Sequence, residues 1–188
     1  MIESLEYWKR QIDEATENHK DWRKPYTALM RELYKQDVLF FALSKDAFDP
    51  KERTSTPLIS TKDFDGAPAL YVFSDIETAT IWMQYYQHVT DDMNYGLIGA
   101  IEKASFGFLS VFQIARKLGV RMMLLDEGGS YVGLELDAFI DANGIDPNRI
   151  ELPLNKDEFD KLIENKKNTS IRFAPIPVIP LRKTSSKK

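Results

Sequence analysis

The chain has 188 residues, 43% of them hydrophobic, a formal net charge of −4 and no cysteine. This length and apolar content suffice for one domain with its own core. The lack of cysteine excludes disulfides, thiolate metal sites and a cysteine nucleophile, and the acidic balance argues against a general nucleic-acid binder, which would usually carry a basic face.

Two segments bear on where the protein resides. Residues 1–22 place acids among the apolar positions and have no apolar h-region, so we expect no signal peptide. Residues 96–119 are the most apolar, but charged residues and glycines interrupt them before the roughly 20 apolar residues of a membrane helix are reached. We therefore expect a cytoplasmic protein with neither a membrane nor a nucleic acid as partner.

Helical spacing dominates residues 1–36, which we treat as an N-terminal helical extension. Apolar residues recur every three or four positions and predict an amphipathic helix, which Pro25 interrupts before a second helical pattern begins. The stripe places His19 in a packed or boundary position. It also leaves Trp8 and Trp22 to dock the helix on its own domain or on a second copy of the chain, so a homodimer through this helix is one expectation.

Residues 37–150 alternate between strand-like and helix-like segments. The predicted strands are DVLFFALS, PLIST, ALYVF, LIGAIEKA, VRMMLLD and YVGLEL; the predicted helices begin near Ile76, at SFGFLSVFQ and at DAFIDANG. Gly119 and Gly144 are placed to end two of these helices. The order predicts a single α+β domain whose central mixed or antiparallel sheet, of about five or six strands, is flanked by helices.

Three further segments are assigned from composition. Residues 45–56 are charged and aperiodic, which predicts an exposed loop. Residues 151–188 form a C-terminal region in which Asn155 begins a helix. There the segment APIPVIP is expected to be extended and PPII-like, with Pro177 to Pro180 as a weak P-x-x-P match, and a basic disordered tail follows.

The segment ALYVFSDIETA joins a strand to a helix and raises the question of a catalytic turn. Ser74 and Glu77 have the spacing of a capping box, which predicts that Ser74 is the N-cap. As a nucleophile, Ser74 would need the G-x-S-x-G pattern, but Val72 and Ile76 occupy the glycine positions. We therefore expect a structural joint.

The stretch STKDFDGAPALYVFSDIETATIW resembles the N-terminal domain of the SseB family, the enhanced-serine-sensitivity proteins. VLFFALS, FLSVFQIARKLGVRMMLLDEGG and YVGLELDAF are similar to further parts of that domain, so the resemblance spans residues 26–142. Residues 126–129 depart from the family, which would show an Asn-Pro-Gly type turn. The resemblance implies a small α+β module that acts through binding, and it implies no catalytic residues.

Few residues could carry acid–base or metal chemistry. Only His19 and His88 are available, and His88 either caps a helix end or forms a dyad with Asp91 or Asp92. Two distant histidines without cysteine make a zinc site improbable. Residues 63–66 resemble the start of a calcium loop. Their glycine is at the fourth position of the loop instead of the sixth, so they are expected to form a β-turn. We expect no metal and no cofactor.

Carboxylates in turns and glycines in one apolar segment have ordinary structural interpretations. Asp91, Asp92, Asp126 and Glu127 are all expected to be solvated turn residues. The glycines at 96, 99 and 107 lack the spacing of a phosphate loop and are expected to serve turns or close packing.

Aromatic residues are the most suggestive feature, at 12% of the chain. Most should be core, but several near predicted edges could contact a partner. The candidate partner-binding residues are Tyr85, Tyr86, Tyr95, Phe106 and Phe108. The leading hypothesis is a non-enzymatic protein-interaction module. The alternatives are an immunity or regulatory protein that inhibits a partner enzyme through acidic loops and, less favoured, a small-ligand binder or hydrolase that uses His88.

Overall fold

The computed structural model describes residues 2–64, 67–105, 108–146 and 176–181. Within these residues the helices are α1 (Ile2–Glu17), α2 (Arg23–Tyr34), α3 (Ile76–Tyr85), α4 (Phe108–Lys117) and α5 (Leu136–Ala142). The strands are β1 (Val38–Ala42), β2 (Thr54–Ser55), β3 (Ile59–Phe64), β4 (Ala67–Phe73), β5 (Tyr95–Glu102), β6 (Met122–Leu125), β7 (Val132–Glu135) and β8 (Ile176–Pro180). The predicted α+β class is confirmed.

All these strands belong to one mixed sheet. Its order is β2-β8-β5-β1-β4-β6-β7, and β3 pairs with β4 beside this path. The pairs are antiparallel except for β4 with β6, which run parallel. The sheet has eight strands instead of the expected five or six, because β2 and β8 were not recognised as strands. The ends of β4 and β6 therefore lie side by side, which matters for the junction described below.

Alternation along the strands divides the core between the two faces of the sheet. In β1, Leu39 and Phe41 belong to the larger apolar cluster, whereas Phe40 and Ala42 belong to a smaller one. The larger cluster holds buried residues of α2, α4 and α5 and Leu5 of α1. The smaller one holds the buried residues of α3. Helix α3 thus packs on one face of the sheet, and the other four helices pack on the opposite face.

The predicted helix ends at Gly119 and Gly144 are confirmed, since both glycines have a positive φ. After α4, the Gly119 N–H donates to the Arg116 carbonyl at 3.0 Å and the Val120 N–H donates to the Ala115 carbonyl at 3.0 Å. These two bonds form a Schellman motif, with Gly119 at the left-handed position that favours glycine. The turn sets the direction of the chain as it enters β6.

The expectation of a PPII-like segment at APIPVIP is wrong, because its described part is strand β8, paired with both β2 and β5. Ile176 and Val178 are buried and the prolines at 177 and 180 are exposed, so burial alternates with the period of a strand. The Val178 N–H donates to the Arg53 carbonyl at 3.1 Å. A strand inside the sheet does not offer its P-x-x-P pattern as a PPII ligand.

Two other expectations are corrected. Residues 45–56 are not wholly an exposed loop, because they contain β2, and Ser55 and Thr56 are buried. The partner of β2 is β8, more than 100 residues away in sequence, so local composition could not reveal it. His19 is not packed either: α1 ends at Glu17, and His19 is exposed with φ 53°.

Several expectations lie outside the described residues. These are the turn at residues 65–66, Phe106, Gly107, the helix beginning at Asn155 and the tail at 182–188.

Candidate functional site

The inner side of α3 anchors the helix on the sheet. Ala79, Trp82 and Met83 are buried in the smaller apolar cluster. The Trp82 ring lies 5.0 Å from the ring of Tyr71 and 5.5 Å from that of Phe73 on β4. Aromatic pairs at such separations add to the stabilisation from burial, so these contacts anchor α3 on β4.

The outer side of α3 is apolar and open to solvent. Tyr85 is 80% exposed, Ile81 is 56% exposed and Tyr86, at the C-cap, is 51% exposed. Ile81 and Tyr85 are four positions apart and are therefore neighbours on the helix surface. We call these three residues the α3 surface.

Contacts beneath the α3 surface hold its tyrosines in place. The rings of Tyr85 and Tyr86 meet edge to face at 5.0 Å, and the Tyr86 ring lies 5.1 Å from that of Trp82. The Trp82 Nε1–H donates to the Glu127 carboxylate at 2.9 Å, and the Tyr86 hydroxyl lies 3.5 Å from the same carboxylate. Partial burial, followed by the Glu127 charge, raises the pKa of Tyr86, so the phenol stays protonated as a hydrogen-bond donor.

The structure does not bring all five predicted aromatics to one surface. Tyr85 and Tyr86 are on the α3 surface, but Tyr95 is only partly exposed and contacts Phe48. Phe108 is 1% exposed and packs in the core, which removes it from any contact surface. It begins α4, whose inner face meets the larger cluster. Phe106 lies outside the described residues.

The strand-to-helix turn after β4 is the structural joint that the sequence predicts, but Ser74 is not its cap. The N-cap is Asp75, whose carboxylate accepts from the Thr78 N–H at 2.7 Å and the Thr78 hydroxyl at 2.8 Å. Ser74 turns the other way: its N–H and its hydroxyl donate to the Asp126 carboxylate at 2.7 and 2.8 Å. Asp126 directly follows β6, so these parallel neighbours end in a shared hydrogen-bonded junction.

A buried lysine from α1 completes this junction. Lys9 Nζ lies 2.7 Å from Asp126 and 2.6 Å from Glu6, and the side chains of Lys9 and Asp126 are each 3% exposed. Burial pushes the pKa of Glu6 upward, but hydrogen bonds from Lys9 and Ser130 outweigh burial and lower it. The expectation that Asp126 is solvated is wrong, because its carboxylate is buried and accepts from Lys9 and Ser74. Glu127 is partly exposed, and its carboxylate accepts the Trp82 Nε1–H. The Lys9–Asp126 pair ties α1 to the sheet.

His88 does not form the dyad considered from the sequence. Its Nε2 lies 2.6 Å from the Leu43 carbonyl, and its ring packs against Trp82 at 5.0 Å. Burial lowers its pKa despite the bond to Leu43, and the nearby Lys45 lowers it further. A neutral imidazole that donates Nε2–H to a backbone carbonyl explains this geometry. It is a structural bond between the segment that follows α3 and the residue that follows β1.

The acidic turn after α3 is solvated, as expected. Asp91 pairs with Lys45 at 2.7 Å, and Asp92 accepts from Thr90 and Asn94. In the part of the chain that the structure describes, no group of three or more histidine or acidic residues is arranged to hold a metal. The same residues include no helix long and apolar enough to cross a membrane.

Sequence reasoning missed three residues of this region: Ile81, Glu127 and Lys9. The sequence contained a signal for Ile81. Helix α3 has more apolar residues than one buried face can hold, so some of them must lie on its exposed side. Glu127 and Lys9 gave no such signal, since their partners are 45 and 117 positions away in sequence. Long-range polar contacts of this kind depend on the fold.

Comparisons with known proteins assign no family to the chain. No protein-family model matches it, and no match was found among curated proteins or among solved structures. The resemblance to the SseB family therefore stays a prediction, and the function has to be argued from the site.

Proposed function

We propose that the protein is a non-enzymatic interaction module that binds another protein through the α3 surface. The observation that carries this proposal is the exposed and ordered tyrosine pair: Tyr85 is 80% exposed, yet its ring rests against Tyr86, which in turn packs on Trp82. A tyrosine that is this exposed buries little apolar area in the folded chain. Its apolar area is buried only when a partner covers it, so it contributes to the free energy of binding.

The arrangement has the properties of a binding hot spot. Tyrosine supplies a large amphipathic contact area with few rotatable bonds, so little entropy is lost on binding. The packing under Tyr86 and the Trp82–Glu127 hydrogen bond reduce that loss further. Residues of this kind cost about 2 kcal/mol or more when truncated at an interface centre.

Charge around the α3 surface indicates what kind of partner fits. Glu77 is exposed one turn before Ile81 on the same side of the helix, and Glu127 lies beside Tyr86. A partner with an apolar patch bordered by lysine or arginine would complement these groups, consistent with the net charge of −4. The resemblance to the SseB N-terminal domain supports the same role in a bacterial cytoplasm.

The test is quantitative affinity capture from native lysate, with mass spectrometry, of wild-type protein and of Tyr85→Ala/Tyr86→Ala. The matched control is Tyr7→Ala, since Tyr7 is an exposed tyrosine on α1. We expect one stoichiometric protein to be recovered by wild type and control, and its recovery to fall at least tenfold with the double variant. Equal recovery by a folded double variant refutes the site.

The identity of the captured protein separates the two interaction hypotheses. An enzyme whose activity falls on binding would make this chain an immunity or regulatory protein. A partner whose activity is unchanged would favour an adaptor role. No contact in the described residues favours catalysis by His88, whose ring is engaged by Leu43 and Trp82.

A further inference from the structure

A second surface, distant in sequence from α3, has the chemistry of an anion site. Helices α1 and α2 border an open groove of about 440 Å³, within the usual size of small-ligand sites. Trp8 contributes from α1. The charged lining comes from α2 as Arg23, Lys24, Arg31, Glu32 and Lys35.

The charge of this groove contrasts with that of the whole chain. Four cations and one carboxylate line it, whereas the protein carries a net charge of −4. The Lys35 ammonium bonds the Glu32 carboxylate at 3.0 Å and lowers the pKa of that carboxyl, and Ser4 donates to the same group at 3.1 Å. The single acid is thus already engaged, and the remaining charge is positive.

Two of the cations are free to bind an anion. Among the described residues, neither Lys24 nor Arg31 has a carboxylate within 4.0 Å, although Arg23 lies 3.7 Å from Asp21. The Arg31 Nε–H makes a long bond of 3.4 Å to the Ala142 carbonyl, which leaves the terminal guanidinium nitrogens to act as donors. Arginine and lysine are the side chains that proteins use to bind phosphate groups.

The start of α2 adds to this positive field. The helix begins at Arg23, its N-cap Trp22 makes no side-chain capping bond, and its first turn contains no acidic residue. Just before the helix, the Asp21 carboxylate accepts from the Arg23 N–H at 3.1 Å and lies 3.7 Å from the Arg23 guanidinium, so it offsets part of the positive charge at this end. Lys24 stands at the same end without a carboxylate partner among the described residues, so the balance there still favours a negative charge.

Trp8 supplies an aromatic surface beside the cations. It lines the groove, is partly exposed and lies 4.9 Å from the Tyr7 ring in an edge-to-face contact. Aromatic side chains stack on nucleobases with little dependence on which base is present. Cations next to an aromatic ring match a ligand with phosphates at one end and a planar ring at the other.

We propose that the groove between α1 and α2 binds a nucleoside phosphate. The phosphates contact Lys24 in the first turn and Arg31 in the last turn of α2, and the base lies against Trp8. This site does not depend on the function of the α3 surface.

The test is isothermal titration calorimetry at low salt with three probes: ATP, inorganic tripolyphosphate and adenosine. ATP carries both recognition elements, and each of the others carries one. The groove variant is Lys24→Ala/Arg31→Ala. The matched control is Lys51→Ala/Arg121→Ala, which removes one exposed lysine and one exposed arginine elsewhere.

We expect ATP to bind wild type and control equally, and at least tenfold more tightly than either partial probe. The groove variant should lose at least tenfold in ATP affinity. Trp8→Leu should weaken ATP and leave tripolyphosphate unchanged, with thermal unfolding as a check that this partly buried position still folds.

The proposal is overturned if ATP gives no binding at millimolar concentration, or if the groove variant binds ATP as well as the control does. Tripolyphosphate that binds as tightly as ATP would overturn the assignment of a nucleoside, whether or not Trp8→Leu folds.

Discussion

The buried pair of Lys9 and Asp126 gives the sharpest prediction about the fold. Lys9→Met keeps the length of the side chain and removes its charge. Asp126 would then stay buried, 3% exposed, with only the Ser74 N–H and hydroxyl as partners at 2.7 and 2.8 Å. Glu6 would lose its contact with Lys9 but keep the bond from Ser130 at 2.9 Å.

The cost follows from leaving one charge of a buried pair without its counterion. Such truncations destabilise by about 3–5 kcal/mol. For a chain of this size each kcal/mol lowers Tm by about 2–4 °C, so we expect Tm to fall by roughly 6–20 °C. Because Lys9 lies on α1 and Asp126 follows β6, the loss should extend to the whole domain.

Urea unfolding followed by far-UV circular dichroism measures this free energy. The control is Lys20→Met, the same change at an exposed position just beyond α1, which should shift stability by less than about 0.5 kcal/mol. Lys9→Met/Asp126→Asn removes the orphaned charge and keeps an acceptor for the Ser74 N–H, so it should recover at least about 1 kcal/mol. A Lys9→Met protein as stable as the control would refute a buried ion pair at this junction.

Three further predictions follow from single contacts. Gly99→Ala should destabilise by about 1–3 kcal/mol in urea unfolding, because a methyl group there would clash with the Ile176 side chain of β8 and lie 2.8 Å from Leu43 Cδ1. Asp75→Ala should cost about 1 kcal/mol by the loss of the cap bond to the Thr78 N–H. Because the pKa of His88 is lowered in the folded protein, the unfolded chain binds a proton at this position at a higher pH than the folded protein does. The free energy of unfolding should therefore fall as the pH drops below 6.5, by at most about 1.4 kcal/mol per pH unit. His88→Gln should remove this part of the pH dependence.

Each of these has a result that contradicts it. An unchanged urea midpoint for Gly99→Ala would mean that β8 does not pack on β5 as described. If Asp75→Ala costs no more than Asp13→Ala, an exposed acid of α1, the cap is unimportant. A pH dependence of stability that is the same in His88→Gln and in wild type would show that His88 is not held neutral. If the two histidines are followed by NMR, the signal that is lost in His19→Gln belongs to His19.

Local patterns predicted much of the fold because the relevant physics is local. Gly119 ends α4 through local bonds, from its own N–H to Arg116 and from the Val120 N–H to Ala115, and short apolar runs predicted β1 and β6. The proline-rich β8 was missed, since its strand character comes from pairing with β2 and β5 far away in sequence. Ser74 was assigned as the cap because the spacing of a capping box cannot reveal that a buried carboxylate, Asp126, competes for its hydroxyl.

The candidate site was predictable only in part. Tyr85 and Tyr86 follow a helix pattern and are exposed, whereas Phe108, which is near them only in sequence, is core. Which side of a helix meets the sheet depends on sheet order, and that order was not available from composition or spacing. Ile81 is exposed on the α3 surface because of the side that α3 turns toward the sheet, which the sequence does not give.

Site-specific photo-crosslinking at position 85 tests the central proposal most directly. Benzoylphenylalanine replaces Tyr85 in one protein and, as the control, Tyr7 in another, and both are irradiated in native lysate. We expect position 85 to form one dominant adduct with a single protein, position 7 to form none, and Ile81→Asp to abolish the adduct. Adducts of equal yield from both positions, or none from position 85, would contradict a partner-binding α3 surface.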